Sequence, residues 1–342
     1  MLPSLGRLAQ PTLVACNVYI SAGLPKYANL LTNLLEQTQD HCFQLRKEAR
    51  NGQDPKTAAA LYSSNVVVVH AFCDGPYNRS SFHIAGSPHL VVDAASSLIT
   101  NTINALLTEQ QGSAKDSASD NATPHPTVGL VDHVSVLPLD NDKARTLPSP
   151  GTGPLALQIG QVMQKIGVDV LYYGYAHPDR TPLATVRREK TKFFQTSKDN
   201  ANPTNTLGQA TVGAPECFTE NFNIRLTAGT SRKIAQSLTR HIRKRNGRGL
   251  PFVEALTLPY SKDRYEVACN LLNPTVTSAH DVQERVKSWE YFDQGLVEMA
   301  YRVGTTPNMC LEALQAVNKH QGGEIFNQKV MERFQGFIAE PQ

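Results

Sequence analysis

The sequence predicts an α+β fold of two α/β subdomains, with mixed or antiparallel sheets and helices outside them. Three observations carry this. The chain has 342 residues, more than one compact domain usually holds. Runs with strand and helix periodicity alternate through the first half. A polar, aperiodic stretch at residues 195–209 (QTSKDNANPTNTLGQ) then separates this half from a strand–helix–strand–strand–helix order. That order matches a split βαβ, ferredoxin-like unit. The division expected is therefore a subdomain of residues 1–194 and a second of residues 195–342 that ends in a helical tail.

In chain order, residues 11–21 (PTLVACNVYIS) read as a first strand closed by the Ser21-Ala22-Gly23 turn. From residue 26 to about 50, Tyr27, Leu30, Leu31, Leu34 and Leu35 form a helical stripe. Residues 61–73 contain Val66-Val67-Val68-Val69, a buried strand that stops at Asp74-Gly75-Pro76. A short strand returns over 80–86. Ser87-Pro88 then opens a helix whose stripe is Val91, Ala94, Ala95, Leu98, Ile99 and Ile103. Residues 109–124 and 140–153 read as loops, on either side of a strand that leads up to Leu139. Residues 155–166 are helical and 168–173 a strand. In the second half the pattern gives strand 217–226, helix 230–245, strands 252–258 and 264–272, and a helix over 277–303. The tail is helical, with a stripe at Cys310, Leu311, Leu314 and Val317. No internal repeat is visible in the sequence.

Composition narrows the function classes. Hydrophobic residues make up 40% and charged residues 18%, ordinary values for a soluble globular protein. A net charge of +3 is too small to imply a nucleic-acid partner, and no apolar run approaches membrane-spanning length. The six cysteines are scattered without short paired spacings, which argues against a zinc knuckle and a disulfide framework. A reducing, cytoplasmic location is expected. The first 15 residues carry Arg7 and no acid, which leaves room for a short organelle-targeting segment.

The stretch with most chemistry in it is His125-Pro126-Thr127-Val128-Gly129-Leu130-Val131-Asp132-His133. Pro126 biases His125 towards extended backbone, which holds the imidazole at the mouth of a strand. Gly129 leaves one position bare, where another backbone or a flat ligand can approach. Asp132 and His133 interrupt an apolar run, and buried polar groups of that kind need partners. As neighbours in a strand they point to opposite faces, so at most one of them faces a given ligand. A plain sheet strand with a turn histidine is the competing reading.

Together with two other stretches, this one resembles the formiminotransferase family. Asn17 to Gly23 (NVYISAG) resembles its first strand and turn. Asp74 to Ser80 (DGPYNRS) resembles its Asp-Gly-Pro turn followed by Asn-Arg-Thr. The His-Pro-x-x-Gly-x-x-Asp run resembles its catalytic strand, and Leu171 to Ala176 (LYYGYA) its Tyr-Gly-Glu-Ala strand end. Weaker similarity continues through residues 208–214, 222–226 and 247–249. The chain looks like the formiminotransferase part alone, as in the plant-type stand-alone relatives. Three positions depart from the family pattern: Thr127 where Arg is usual, Pro215 near an expected basic residue, and Tyr175 where Glu is common.

The resemblance implies a glutamate formimidoyltransferase-like enzyme. It would move a formimino or formyl group between N-formimino-L-glutamate and N5 of tetrahydrofolate, its co-substrate, with no metal. An imidazole titrating near neutrality suits the two proton transfers, and His125 is the candidate. Asp74 would orient His125 or hold the pterin; a turn aspartate capping its own backbone is the alternative. Arg79 would clamp a carboxylate. Asn78, Asp132, Gly208 and Gly213 complete the implied substrate site, and His133 reads as structural. The expected partners are folate and formiminoglutamate, without nucleic acid or membrane, in a homodimer. The basic cluster Arg232, Lys233, Arg240, Arg243, Lys244, Arg245 and Arg248 reads as a solvated face, a wall for a folate polyglutamate tail, or a nucleic-acid patch. The competing function is a non-catalytic relative that binds folate or a protein partner.

Overall fold

The computed structural model describes residues 13–50, 64–112, 126–139, 151–191, 206–319 and 322–339. The first half runs β1 (Val14–Ile20), α1 (Ala28–Arg50), β2 (Val66–Asp74), β3 (Arg79–Gly86), α2 (Pro88–Gly112), β4 (Val131–Pro138), α3 (Thr152–Lys165), β5 (Asp169–Gly174), α4 (Leu183–Lys190) and β6 (Gln209–Ala214). Its six strands form one mixed sheet in the order β2-β3-β1-β4-β6-β5. The β1, β2, β3 and β4 pairings are antiparallel, and β6 pairs in parallel with β4 and β5. A strand beyond the polar stretch 195–209 thus belongs to the first sheet. Neither α4 nor β6 is marked by periodicity.

The second half runs β7 (Glu220–Leu226), α5 (Arg232–Ile242), β8 (Val253–Ser261), β9 (Arg264–Leu271), α6 (Ala279–Lys287) and β10 (Val297–Arg302), followed by α7 (Pro307–Ala316) and α8 (Gly322–Ala339). Its sheet is antiparallel, in the order β10-β7-β9-β8. The helix expected over 277–303 needs correcting. It stops at Lys287, a 3-10 turn covers Phe292–Gln294, and Gly295 turns the chain at φ 68°, a conformation that suits glycine. The chain then pairs along β7 as β10. That strand completes the βαββαβ unit. Strands β1–β4 with α1 and α2 repeat the same connections and the same strand order, β2-β3-β1-β4 against β8-β9-β7-β10. The repeat is one of topology, which residue identity does not reveal.

Core packing follows the stripes. Leu31, Leu34 and Leu35 of α1, the stripe of α2 and Ile159 and Met163 of α3 bury against Val14, Cys16, Val18 and Ile20 of β1. Each such side chain contributes about 1.5–3 kcal/mol of burial. The expectation of no membrane-length apolar run is corrected by α2, which is long and apolar enough over Pro88–Glu109 to cross a bilayer. Half of its apolar window is buried in the molecule, where it is the central helix on the sheet. All six cysteines are buried and unbridged. The six-stranded sheet's other face is apolar at one end, where α7 covers Ala15, Val67, Val69 and Leu137.

At its other end that face is polar, and it meets the second sheet. Helices α5 and α6 cover one face of the second sheet through Ala235, Leu238, Ile242, Val282 and Val286. The opposite face presents Asn221, Asn223 and Glu266. Tyr19 donates its hydroxyl proton to Asn221 Oδ1 at 2.8 Å, joining the two sheets. The basic cluster lies on and after α5, on the helical side. Ser231 caps that helix, and Arg245 and Arg248 close a two-residue turn through Asn246 and Gly247, both at positive φ.

Candidate functional site

The site grows from an irregularity in β4. Along β1, Tyr19 pairs with His133 and Ile20 with Val131, so Asp132 is an extra residue in a β-bulge. A bulge re-aims side chains. Asp132 and His133 therefore do not divide between opposite faces as strict alternation requires, and both join one cluster. Asp132 is fully buried and lies 2.9 Å from Arg79 Nη1 and 3.7 Å from Arg187 Nη2. Arg187 Nη2 also donates to Thr211 Oγ1 at 3.2 Å, and Thr211 Oγ1 donates to the Asp132 carbonyl at 3.0 Å. Burial pulls the Arg187 guanidinium down to about 10, against the opposing pull of Asp132.

Tyr19 is the floor of this cluster. The Arg79 guanidinium lies 4.9 Å from its ring centroid, in cation–π range. The His133 ring stacks on it at 5.2 Å with an interplanar angle of 9°. Burial pushes the Tyr19 phenol up to about 12. His133 Nε2 is 2.9 Å from the Tyr173 hydroxyl. Burial, with Arg187 and Arg79 beside it, holds His133 well below the usual histidine value. Gly213 makes room for Tyr173, since a Cβ there would stand 2.4 Å from the Tyr173 carbonyl oxygen and 2.5 Å from its ring. Gly208, at φ 72°, bridges to Gly129, and a Cβ on it would stand 2.5 Å from Gly129 Cα. The close approach at Gly129 is thus by backbone.

The Asp74 turn anchors the other side. Asp74 Oδ1 accepts the Tyr77 amide at 3.0 Å, the backbone-capping contact of a turn aspartate. Asn78 sits at φ 47°, and its Oδ1 accepts from the Gly23 and Leu24 amides at 2.8 and 3.1 Å. These bonds tie the turn to the end of β1. Tyr77 meets Tyr260 edge-on at 5.1 Å, across to the second half. There Glu266 is fully buried, accepting from Asn223 Nδ2 at 2.6 Å and Tyr301 Oη at 2.7 Å, with Arg225 Nε at 3.4 Å. Burial raises its carboxyl pKa, against those donors.

Asn78, Arg79, Asp132, Gly208 and Gly213 thus converge on one region, with Asp74 in the adjoining turn. His125 lies outside the described residues. Thr127 is exposed, and Tyr175 is half-buried with Arg180 5.0 Å from its ring centroid. Sequence reasoning missed Arg187 and left Tyr19, Tyr173 and Glu266 without roles. Tyr19 and Tyr173 stand inside two of the three tyrosine-bearing motif stretches, which was the available signal. Among the described residues no cluster of three His, Cys, Asp or Glu side chains is placed to hold a metal ion.

Comparison with known proteins bears on this arrangement. The chain is 25% identical over 268 residues to the formiminotransferase cyclodeaminase-like protein of Arabidopsis thaliana, covering 72% of this chain and 85% of that one. Among solved structures it is similar to a peptidase M16 inactive domain from Pseudomonas fluorescens, at 11% identity and a TM-score of 0.22 over 96% of this chain and 84% of that one. A protease from Helicobacter pylori matches at 10% identity and a TM-score of 0.20, over 96% and 88%. At those scores the structural likenesses carry no argument. The model of the formiminotransferase domain's N-terminal subdomain matches residues 13–219, which takes in all six strands of the first sheet. With the motif stretches gathered at one bulged strand, the chain belongs to the formiminotransferase family, whose chemistry is one-carbon transfer linked to folate.

Proposed function

We propose that the protein transfers a formimino group from N-formimino-L-glutamate to N5 of tetrahydrofolate. The attacking nitrogen must lose a proton, and the leaving glutamate amine must gain one as the tetrahedral intermediate collapses. His125 serves both steps as acid and base, since an imidazole exchanges protons near neutral pH. The substrates lie where the two sheets' polar faces meet, in keeping with the tendency of sites to form between subdomains. The single observation supporting this reading is the convergence of the four motif stretches. Asn78 binds the turn after β1, Arg79 pairs with Asp132, and His133 meets Tyr173.

The test is a transfer assay with both substrates, following glutamate release and the modified folate together. The reading expects stoichiometric appearance of the two products. A protein that binds folate but releases no glutamate would be the non-catalytic relative instead. The position to examine then is Thr127, which lacks the guanidinium usual in the family. Thr127→Arg would be expected to lower KM for formiminoglutamate if a carboxylate clamp is what is missing there.

A further inference from the structure

His133 has a geometry that neither the family match nor the transfer chemistry assigns. It is half-buried on the polar face of the first sheet. One ring nitrogen, Nε2, is taken up by Tyr173 at 2.9 Å, and among the described residues Nδ1 makes no hydrogen bond. The ring cannot swing away, because it is stacked flat on Tyr19, which is itself tied to Asn221 of the second sheet. A stiff ring with one engaged and one open nitrogen is the arrangement of a positioned ligand contact.

The network fixes which nitrogen carries the proton. Burial raises the Tyr173 phenol, so at neutral pH it keeps a proton to donate. Among the described residues the buried Tyr173 hydroxyl has no acceptor other than His133 Nε2, so its proton points there rather than being left unsatisfied. Nδ1 then holds the imidazole proton, as a donor with no partner among the described residues. The charged and titratable groups around it are Tyr19 of β1, Arg79 of β3, Asp132 of β4, Tyr173 of β5 and Arg187 of α4. Burial, with the two arginines beside it, keeps His133 neutral. The same positive field favours an anionic acceptor opposite Nδ1.

We propose that His133 is a specificity-determining contact that donates from Nδ1 to a carboxylate oxygen of the substrate, its tautomer set by Tyr173. The assignment of the carboxylate to a substrate rests on the transfer reading. That carboxylate belongs either to formiminoglutamate or to the glutamate tail of the folate, and separate titrations distinguish them.

The experiment has two readouts. Nitrogen-15 spectra of the histidines give the tautomer without any ligand. The proposal expects Nδ1–H in the wild type at pH 7 and loss of that preference in Tyr173→Phe. An Nε2–H tautomer in the wild type would overturn it, whatever the protein transfers. Titration with formiminoglutamate and tetrahydrofolate separately is the second readout. His133→Ala should weaken one of the two by roughly tenfold to a hundredfold, the loss of a hydrogen bond to a charged group. His133→Asn, whose amide places a donor near the Nδ1 position, should restore most of that affinity. Equal affinities in wild type and His133→Ala for a ligand set that does bind would overturn the proposal and leave the transfer reading intact. If neither compound binds the wild type, the transfer reading fails and the tautomer alone decides for or against the donor.

Discussion

Replacing Asp132 by alanine should destabilise the protein by about 3–5 kcal/mol, the cost of breaking a buried ion pair by removing one partner. The carboxylate is fully buried, and the Arg79 and Arg187 side chains that share it are only 12% and 9% exposed. Its loss leaves two guanidiniums in low dielectric without the anion between them. Asp132→Asn should cost less, since the amide oxygen still accepts from Arg79. Urea unfolding of the two variants and the wild type, at matched m-values, gives the comparison. A loss below about 1 kcal/mol, the size of an exposed pair, would mean that the bulged carboxylate does not hold the cluster together.

The second large effect is catalytic. His125→Ala should lower kcat by about 10²–10⁴, the range for a lost acid–base group. Affinity for tetrahydrofolate should change little, because the imidazole acts mainly in the transition state. The pH profile of kcat/KM should lose an inflection close to the ordinary histidine value of about 6.5. A variant that turns over at the wild-type rate would remove His125 from the mechanism.

How far the sequence reaches is clearest at four places. The stripes of α1 and α2 were legible because apolar residues at helical spacing record which face is buried, and Leu31, Leu34, Val91 and Leu98 all lie in the core. Asp132 and His133 were misread because strict alternation holds only in a regular strand. The bulge that brings them together is a property of the pairing with β1, and nothing in β4 alone announces it. Strand β10 was missed for a different reason. It is an edge strand with mostly half-exposed residues, so it shows no buried alternation, and the stop signal at Gly295 was overrun. Arg187 sits on a helix of eight residues, too short to display a stripe. Its partner Asp132 lies 55 positions away in the sequence, from 132 to 187.

The measurement that bears most directly on the central claim is calorimetric titration of the wild-type protein with tetrahydrofolate. A folate-dependent transferase with its substrates where the two sheets meet predicts one saturable binding event per chain. Hydrogen exchange in the same sample should slow on both sides of the meeting sheets, in β4 and in β6 to β7. No measurable heat up to about 1 mM ligand, an affinity weaker than roughly −4 kcal/mol, together with unchanged exchange, would contradict the account.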